Sequence, residues 1–321
     1  MSATNPLEER SDRRPRAVCL MGPTASGKTA LAVALAERRG YAVISVDSAL
    51  VYRGMDVGTA KPDPATLARV PHALVDIRDP EQGYSAAEFR ADALHAMEEA
   101  RENGRVPLLV GGTGLYFRAL TRGLSGLPAA DAGVRAALEA EARQRGWAAM
   151  HGRLAAADPL AAARIHPNDP QRIQRALEVL ALTGQPISAQ QRGGSGRPPW
   201  RFLRLVLGTA HRAELHARVE RRFHAMLEAG LVEEVRCLRA RPGLHPDLPA
   251  MRAVGYRQVW GYLDGDYGLD EAIKRGVHAT RQLAKRQLTW LRSERDAVWI
   301  DPAGREGAGR VQALVEGFLG R

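Results

Sequence analysis

Gly22-Pro23-Thr24-Ala25-Ser26-Gly27-Lys28-Thr29 is the stretch that decides the fold. It matches G-x-x-x-x-G-K-[ST] in full, and it follows the apolar run Ala17 to Met21 and precedes the Ala- and Leu-rich stretch Thr29 to Arg39. Glycines let backbone N–H groups turn inward around phosphate oxygens, and the N-terminus of the next helix adds a positive dipole end. Lys28 can neutralise a terminal phosphate, and the Thr29 hydroxyl can hold Mg²⁺. The competing reading, an ordinary glycine-rich turn, requires neither the strand before nor the helix after. The stretch therefore predicts an α/β fold that grips a phosphorylated small molecule.

Outward from this loop, strand and helix signals alternate. Tyr41 to Val46, Val106 to Val110, Phe202 to Gly208 and Ala297 to Ile300 read as strands. Ser85 to Asn103 reads as a helix opened by a capping box between Ser85 and Glu88. Such alternation predicts a parallel sheet covered on both faces. Between 131 and 195 strand signals vanish and Ala- and Arg-rich helical stretches take over, Asp131 to Arg145 and Asp169 to Leu182. The second has Asp169 at its N-cap, Pro170 at its first helical position and Gly184 beyond its end. The expected organisation is a flexible tail over 1–16, a P-loop parallel-sheet core from 17–130 and 196–321, and a helical insertion domain over 131–195. Gly193 to Pro199 reads as a flexible return linker.

Composition narrows the function classes. The 321 residues are 45% hydrophobic, enough for a globular core. No run of about eighteen apolar residues exists to span a membrane, and Met1 to Arg16 has no apolar core for a secretory signal. The only cysteines, Cys19 and Cys237, form no CxxC pair, which suits a reducing cytoplasm. Residues 1–130 carry 16 Lys+Arg against 15 Asp+Glu, residues 131–195 carry 8 against 6, and residues 196–321 carry 22 against 15. Most of the net +10 therefore lies in the last third. Only four of the 46 basic residues are lysines, and arginine's planar fork suits phosphates and stacks on bases. An anionic partner fits this balance; so does a merely soluble basic surface.

Asp47 ends the second strand, and carboxyl ends of parallel strands face the ligand crevice. A carboxylate there can act as general base or metal partner, or simply cap a turn. Gly111-Gly112-Thr113-Gly114 ends the third clear strand and offers a hydroxyl among glycines, although a plain strand-to-helix turn would look the same. The four apolar residues and acid of a Walker-B strand are missing there, with Leu74-Val75-Asp76 a weak substitute, which argues against an ordinary ATPase. Asp270 to Asp296 reads as one long helix on which Lys274, Arg281, Lys285 and Arg292 fall near one line. That stripe is either a phosphate-binding ridge or a solvated face, with Arg281, Lys285 and Arg286 the candidate phosphate contacts.

Together these segments resemble the tRNA dimethylallyltransferases. The resemblance rests on GPTASGKT from Gly22, DSALVYRGMDVGTAKP from Asp47, GGTGLYF from Gly111, HPNDPQRIQRALEV from His166, RAVGYRQ from Arg252 and TRQLAKRQLTWLR from Thr280. It runs over about residues 17–300 and, without a zinc finger at the C-terminal end, is to the bacterial type. It implies transfer of a dimethylallyl group from dimethylallyl diphosphate to N6 of the adenosine 3′ of the anticodon, in tRNAs reading codons that begin with U. Gly22 to Thr29 would then hold a diphosphate in place of ATP, with Lys28 and Mg²⁺ at Thr29 on the leaving group. Asp47 would take the amine proton and Thr113 would position a substrate. By the same resemblance the anticodon stem-loop would touch Asp47, Ser48, Ala49 and Leu50, then Gln171, Arg172, Ile173, Gln174 and Arg175. Arg252, Ala253, Val254, Gly255, Tyr256 and Arg257 complete that set, with Arg135 a further contact. A monomer is expected. Two other classes compete: an ATP-dependent kinase, which gives DSALVY no role, and an RNA-binding protein with a vestigial P-loop, for which Lys28 and Asp47 would be dispensable.

Overall fold

The computed structural model describes residues 12–38, 40–124, 126–191, 198–209, 211–302 and 307–320. In chain order the first elements are β1 (Arg16–Met21), α1 (Lys28–Arg38), β2 (Tyr41–Val46), α2 (Pro64–Arg69), β3 (His72–Ala73), α3 (Ala86–Glu102), β4 (Val106–Gly111) and α4 (Gly114–Arg122). Five helices follow, α5 (Ala132–Arg145), α6 (Trp147–Ala157), α7 (Pro159–Ala162), α8 (Pro170–Thr183) and α9 (Ile187–Gln190). The chain then forms β5 (Arg201–Leu207), α10 (Arg212–Glu228), α11 (Leu231–Arg239), α12 (Tyr256–Leu263), α13 (Leu269–Arg292), β6 (Val298–Ile300) and α14 (Gly307–Leu319).

The strands form one parallel sheet in the order β3-β2-β4-β1-β5-β6. β1 lies in its middle, which is why Ala17 to Leu20 are fully buried and read as a continuous apolar run. Its side chains alternate between two cores. Ala17, Cys19 and Met21 meet Phe89, Ala93 and Met97 of α3 and Phe117 and Leu120 of α4. Val18 and Leu20 meet Ala32 and Leu35 of α1 and Val311 and Val315 of α14. A third core joins α10, α11 and α12 to Val51, Tyr52 and Met55 through Phe223, Leu231, Val235, Tyr256 and Trp260.

The chain divides into two compact units, one of them Arg122–Pro198. This helical unit has its own core, in which Leu138, Met150, Leu154, Ile173 and Leu177 are buried. α8 starts and stops as its sequence dictates: the Asp169 carboxylate accepts from Arg172 N, Pro170 opens the helix, and Gly184 ends it at φ 68°. The segment before α5, counted with the sheet core on sequence, is fastened to the helical unit. Leu127 packs on its core, Arg175 donates to Pro128 O, and Asp131 N donates to Glu178.

The flexible tail expected over 1–16 falls outside the described residues up to Ser11. Asp12 to Arg16 is ordered: Arg14 pairs with Asp12, Arg201 N donates to Pro15 O at 2.8 Å, and β1 begins at Arg16. Of the expected linker, residues 193–197 also lie outside the described set. Leu74-Val75-Asp76 does not supply a Walker-B acid. β3 stops at Ala73, Leu74 and Asp76 take φ values of 63° and 56°, and the Asp76 carboxylate binds the ammonium of Lys61.

Candidate active site

Three neighbouring strands end level. Met21 of β1 and Val46 of β2 both pair with Gly111 of β4. One step further along, Gly22, Asp47 and Gly112 share a rim at the carboxyl edge of the sheet. β1 is where the connections diverge, with β4 and β2 to one side and β5 and β6 to the other, the place where parallel α/β sheets open a crevice.

The P-loop closes over this rim. Ala25 and Gly27 take φ values of 62° and 86°, and Ser26 N donates to Pro23 O. Gly22 has no room for a side chain, since a Cβ would lie 2.5 Å from Leu207 O. Lys28 Nζ donates to Pro23 O at 2.7 Å and to Ser26 Oγ at 3.4 Å. Thr29, in the first turn of α1, is exposed. Gln287 of α13 ties the glycine turns together: its Oε1 accepts from Thr24 N at 2.8 Å, and its Nε2 donates to Gly112 O at 3.1 Å.

Asp47 satisfies both readings its position allows. Its Oδ1 accepts from Ala49 N at 2.8 Å and Leu50 N at 3.4 Å, capping a turn. Among the described residues no partner engages Oδ2, which stays available to a ligand. Thr113 locks the neighbouring loop, with Oγ1 accepting from Ser48 N at 3.1 Å and its own N–H donating to Val46 O. The hydroxyl hydrogen of Thr113 is thereby left to point at a ligand.

Arg222 of α10, absent from the sequence-based site, completes the cluster. Its Nη2 donates to Thr59 O at 3.1 Å, and the residue is half-buried; burial lowers its guanidinium and the Asp47 charge opposes that shift. Burial, then Arg222, push the Lys28 ammonium down to about 7, while Asp47 opposes them. Two cations and one carboxylate thus lie within electrostatic reach of each other over the P-loop. Such a cluster is costly when empty and receptive to an anion. An anion would restore the Lys28 charge, so between its free and bound values each binding event takes up a proton. Calorimetry of inorganic pyrophosphate at pH 8 in buffers of different ionisation enthalpy should therefore show more proton uptake in the wild type than in Lys28→Met, the ligand's own titration being common to both. Equal uptake in wild type and variant would remove Lys28 as its source.

The other expected contacts are dispersed. Arg135 and Arg175 share the fully buried Glu178, at 2.8 Å and 2.6 Å. Burial raises that carboxyl, but the two guanidinium groups offset it and hold it below its usual range. The Arg172 guanidinium pairs with the N-cap Asp169 at 2.8 Å, and Gln174 donates to Arg135 O and Glu139. Gln171 is exposed. Ile173 and Tyr256 are 0% exposed, so their side chains serve cores. Arg252 and Arg257 are exposed, Ala253 and Val254 are half-buried, and Gly255 takes φ 95° before α12. On α13, Lys285 and Arg286 are exposed, whereas Arg281 pairs with Glu220 of α10 at 2.8 Å. That acid stands on a neighbouring helix, where spacing along α13 cannot reveal it.

Two site residues carried a faint signal in sequence. Gln287 lies three beyond Ala284 and four before Leu291, a polar side chain on the buried face of an amphipathic helix. Arg222 lies three beyond Val219 and seven beyond Leu215, on the same face.

The family model described as IPP transferase matches residues 50–294. A tRNA dimethylallyltransferase of Alkalilimnicola ehrlichii is 61% identical over 294 residues, covering 91% of this chain and 93% of that one. One from Thiobacillus denitrificans is 60% identical over 306 residues, covering 95% and 98%. Among solved structures, the tRNA isopentenylpyrophosphate transferase of Bacillus halodurans aligns with a TM-score of 0.71 at 38% identity, over 96% of this chain and 97% of that one. The chain belongs to the IPP transferase family.

Proposed function

We propose that this chain transfers a dimethylallyl group from dimethylallyl diphosphate to N6 of the adenosine 3′-adjacent to the anticodon, in tRNAs reading codons that begin with U. The observation that carries the reading is the shared rim that sets the P-loop with Lys28 beside Asp47 and Thr113, with Arg222 within electrostatic reach. An allylic diphosphate needs cations where its leaving group gathers charge, and an exocyclic amine needs a proton acceptor. In the transfer the N6–C1 bond forms as the C1–O bond breaks, and that electron pair leaves with the diphosphate. The N6 proton passes to Asp47 Oδ2, while backbone N–H groups of the P-loop, Lys28 and Arg222 hold the departing oxygens. Thr113 donates its hydroxyl hydrogen toward the adenine or the diphosphate. A stacked adenine cannot enter such a crevice, so the base is flipped out.

The residues suit Mg²⁺. Thr29 offers an exposed hydroxyl at the helix N-terminus, and no group of three His, Cys, Asp or Glu side chains is assembled among the described residues. An ion that keeps its waters and binds chiefly through substrate oxygens fits this donor set. When bound, it neutralises charge on the diphosphate.

The helical unit and the basic C-terminal helices are read as the grip on the anticodon stem-loop, chiefly through shape and backbone. No described helix is long and apolar enough to cross a membrane, and the reading is of a monomer working in the cytoplasm, where its tRNA substrate is. On α13 Lys285, exposed and without a side-chain partner among the described residues, is the better phosphate contact. Lys285→Ala should flatten the salt dependence of tRNA binding by about 0.7 to 0.9 in slope. Arg281→Ala should do less, because Glu220 already takes its charge. An unchanged slope in both would make the stripe a solvated face. The activity itself is tested by incubating the protein with labelled dimethylallyl diphosphate and tRNA. Label in adenosine supports the reading; ATP turnover with no use of the allylic substrate would favour a kinase.

A further inference from the structure

The turn from Asp56 to Lys61 is anchored at both ends by side chains from elsewhere in the sheet unit. The Glu234 carboxylate, on α11, accepts from three successive backbone N–H groups: Asp56 and Val57 on Oε2 at 2.8 and 2.7 Å, and Gly58 on Oε1 at 3.1 Å. A fourth donor reaches it, the Tyr256 hydroxyl, on Oε1 at 2.5 Å. Tyr256 is fully buried, and burial followed by the Glu234 charge pushes its phenol well above the ordinary range, so it stays protonated and donating. Gly58 sits so close that a Cβ there would lie 2.5 Å from the Tyr256 ring. From the other end Lys61, whose side chain is 4% exposed, binds Asp56, Asp76 and Tyr52 O. Between these two anchors stands Thr59, whose carbonyl accepts from Arg222.

Four donors on one carboxylate are more than a surface turn needs. What the turn presents is one carbonyl, and it accepts from the half-buried Arg222 guanidinium, whose charge acts on Asp47 and Lys28. We propose that Glu234, oriented by Tyr256, is a positioning residue that sets Arg222 over the P-loop through the 56–61 turn. It touches no reacting atom. Arg222 keeps at least one N–H for the turn and has others for an anion, so the Thr59 carbonyl fixes which edge of the guanidinium points at the diphosphate. Glu234→Gln retains shape but replaces one accepting oxygen with an NH₂ group, which cannot serve the donors on that side. The turn then shifts and Arg222 loses its aim. The role of RAVGYRQ in the resemblance changes accordingly: its tyrosine points inward and acts on the diphosphate side of the site.

The inference rests on the proposed transferase reading, and the test separates the two. Affinity for inorganic pyrophosphate is measured by calorimetry, alongside KM and kcat for dimethylallyl diphosphate and the Kd for tRNA. Glu234→Gln is expected to weaken pyrophosphate binding and raise KM by roughly tenfold, the size of one charge-assisted hydrogen bond. Its tRNA Kd is expected to stay within about twofold, since the loss is confined to one anion contact. The deciding arm is the double variant: in an Arg222→Ala background, Glu234→Gln should add almost nothing, because the residue it aims is gone. Full additivity would overturn the proposal and leave Glu234 a structural anchor only. If Glu234→Gln fails to fold, Tyr256→Phe, which removes the hydroxyl that donates to Glu234, carries the same cycle, and additivity there overturns the proposal equally. Should the wild-type protein bind pyrophosphate in this Arg222-dependent way yet transfer no prenyl group, the positioning role stands and the transferase reading falls.

Discussion

Asp47→Asn should lower turnover by roughly 10²–10⁴ while tRNA binding changes little. The substitution is conservative in shape. Asparagine's carbonyl oxygen can still accept from Ala49 N and Leu50 N, the two bonds that Oδ1 makes, so the turn after β2 survives. What disappears is the second oxygen, the one no described residue engages. Its replacement, an amide NH₂, cannot take a proton from N6. The measurement is single-turnover transfer from labelled dimethylallyl diphosphate at saturating tRNA, so that product release does not mask chemistry. Wild-type single-turnover rates in the variant would remove Asp47 from the mechanism. A parallel loss of tRNA affinity and rate would instead assign it to binding.

The rim on which Asp47 sits was legible because it depends on local chemistry. Each strand that reaches the crevice is an apolar run ended by a glycine or an acid, and parallel pairing sets Met21, Val46 and Gly111 level without any further instruction. Helix boundaries were legible for the same reason, since Ser85 with Glu88 and Asp169 with Pro170 carry their caps in adjacent positions. What stayed hidden depends on pairs far apart in the chain. Arg222 meets the carbonyl of Thr59 across 163 positions, Glu234 meets Val57 across 177, and Gln287 meets Thr24 across 263. In the sequence, spacing from Leu215 and Val219 puts Arg222 on the buried face of α10, unlike its exposed neighbour Arg221, but nothing local says which group it meets there. The same limit explains Arg281, whose partner Glu220 lies on another helix, and Tyr256, which a motif reading turns outward although packing turns it in. The buried Glu178 is a related case. A run of arginines at 172 and 175 looks like a phosphate contact until the acid three residues on is found to be fully buried and in need of Arg135 and Arg175.

The second large effect concerns the two cations. Lys28→Met and Arg222→Met should each lower kcat/KM for the allylic diphosphate by about 10²–10³, the loss typical of one preorganised donor to developing charge in a water-poor site. The informative quantity is how the two losses combine. In the free protein Arg222 is the second cause, after burial, that lowers Lys28 to about 7. At pH 8 much of Lys28 is therefore uncharged until an anion arrives, and recharging it costs binding energy. Removing Arg222 lifts that repulsion, so the variant keeps a more fully charged Lys28 and loses less than the Arg222 contact alone would dictate. With Lys28 already gone there is nothing to recover, and losing Arg222 costs its full value. The double variant should thus lose more than the sum of the single variants at pH 8. At pH 6, below the depressed Lys28 value, the ammonium is charged with or without Arg222 and the excess should shrink toward additivity. Substrate titration is common to all four proteins and cancels in the comparison. An excess that is the same at both pH values would mean that Lys28 and Arg222 do not share one electrostatic field, and would separate Arg222 from the diphosphate end of the crevice.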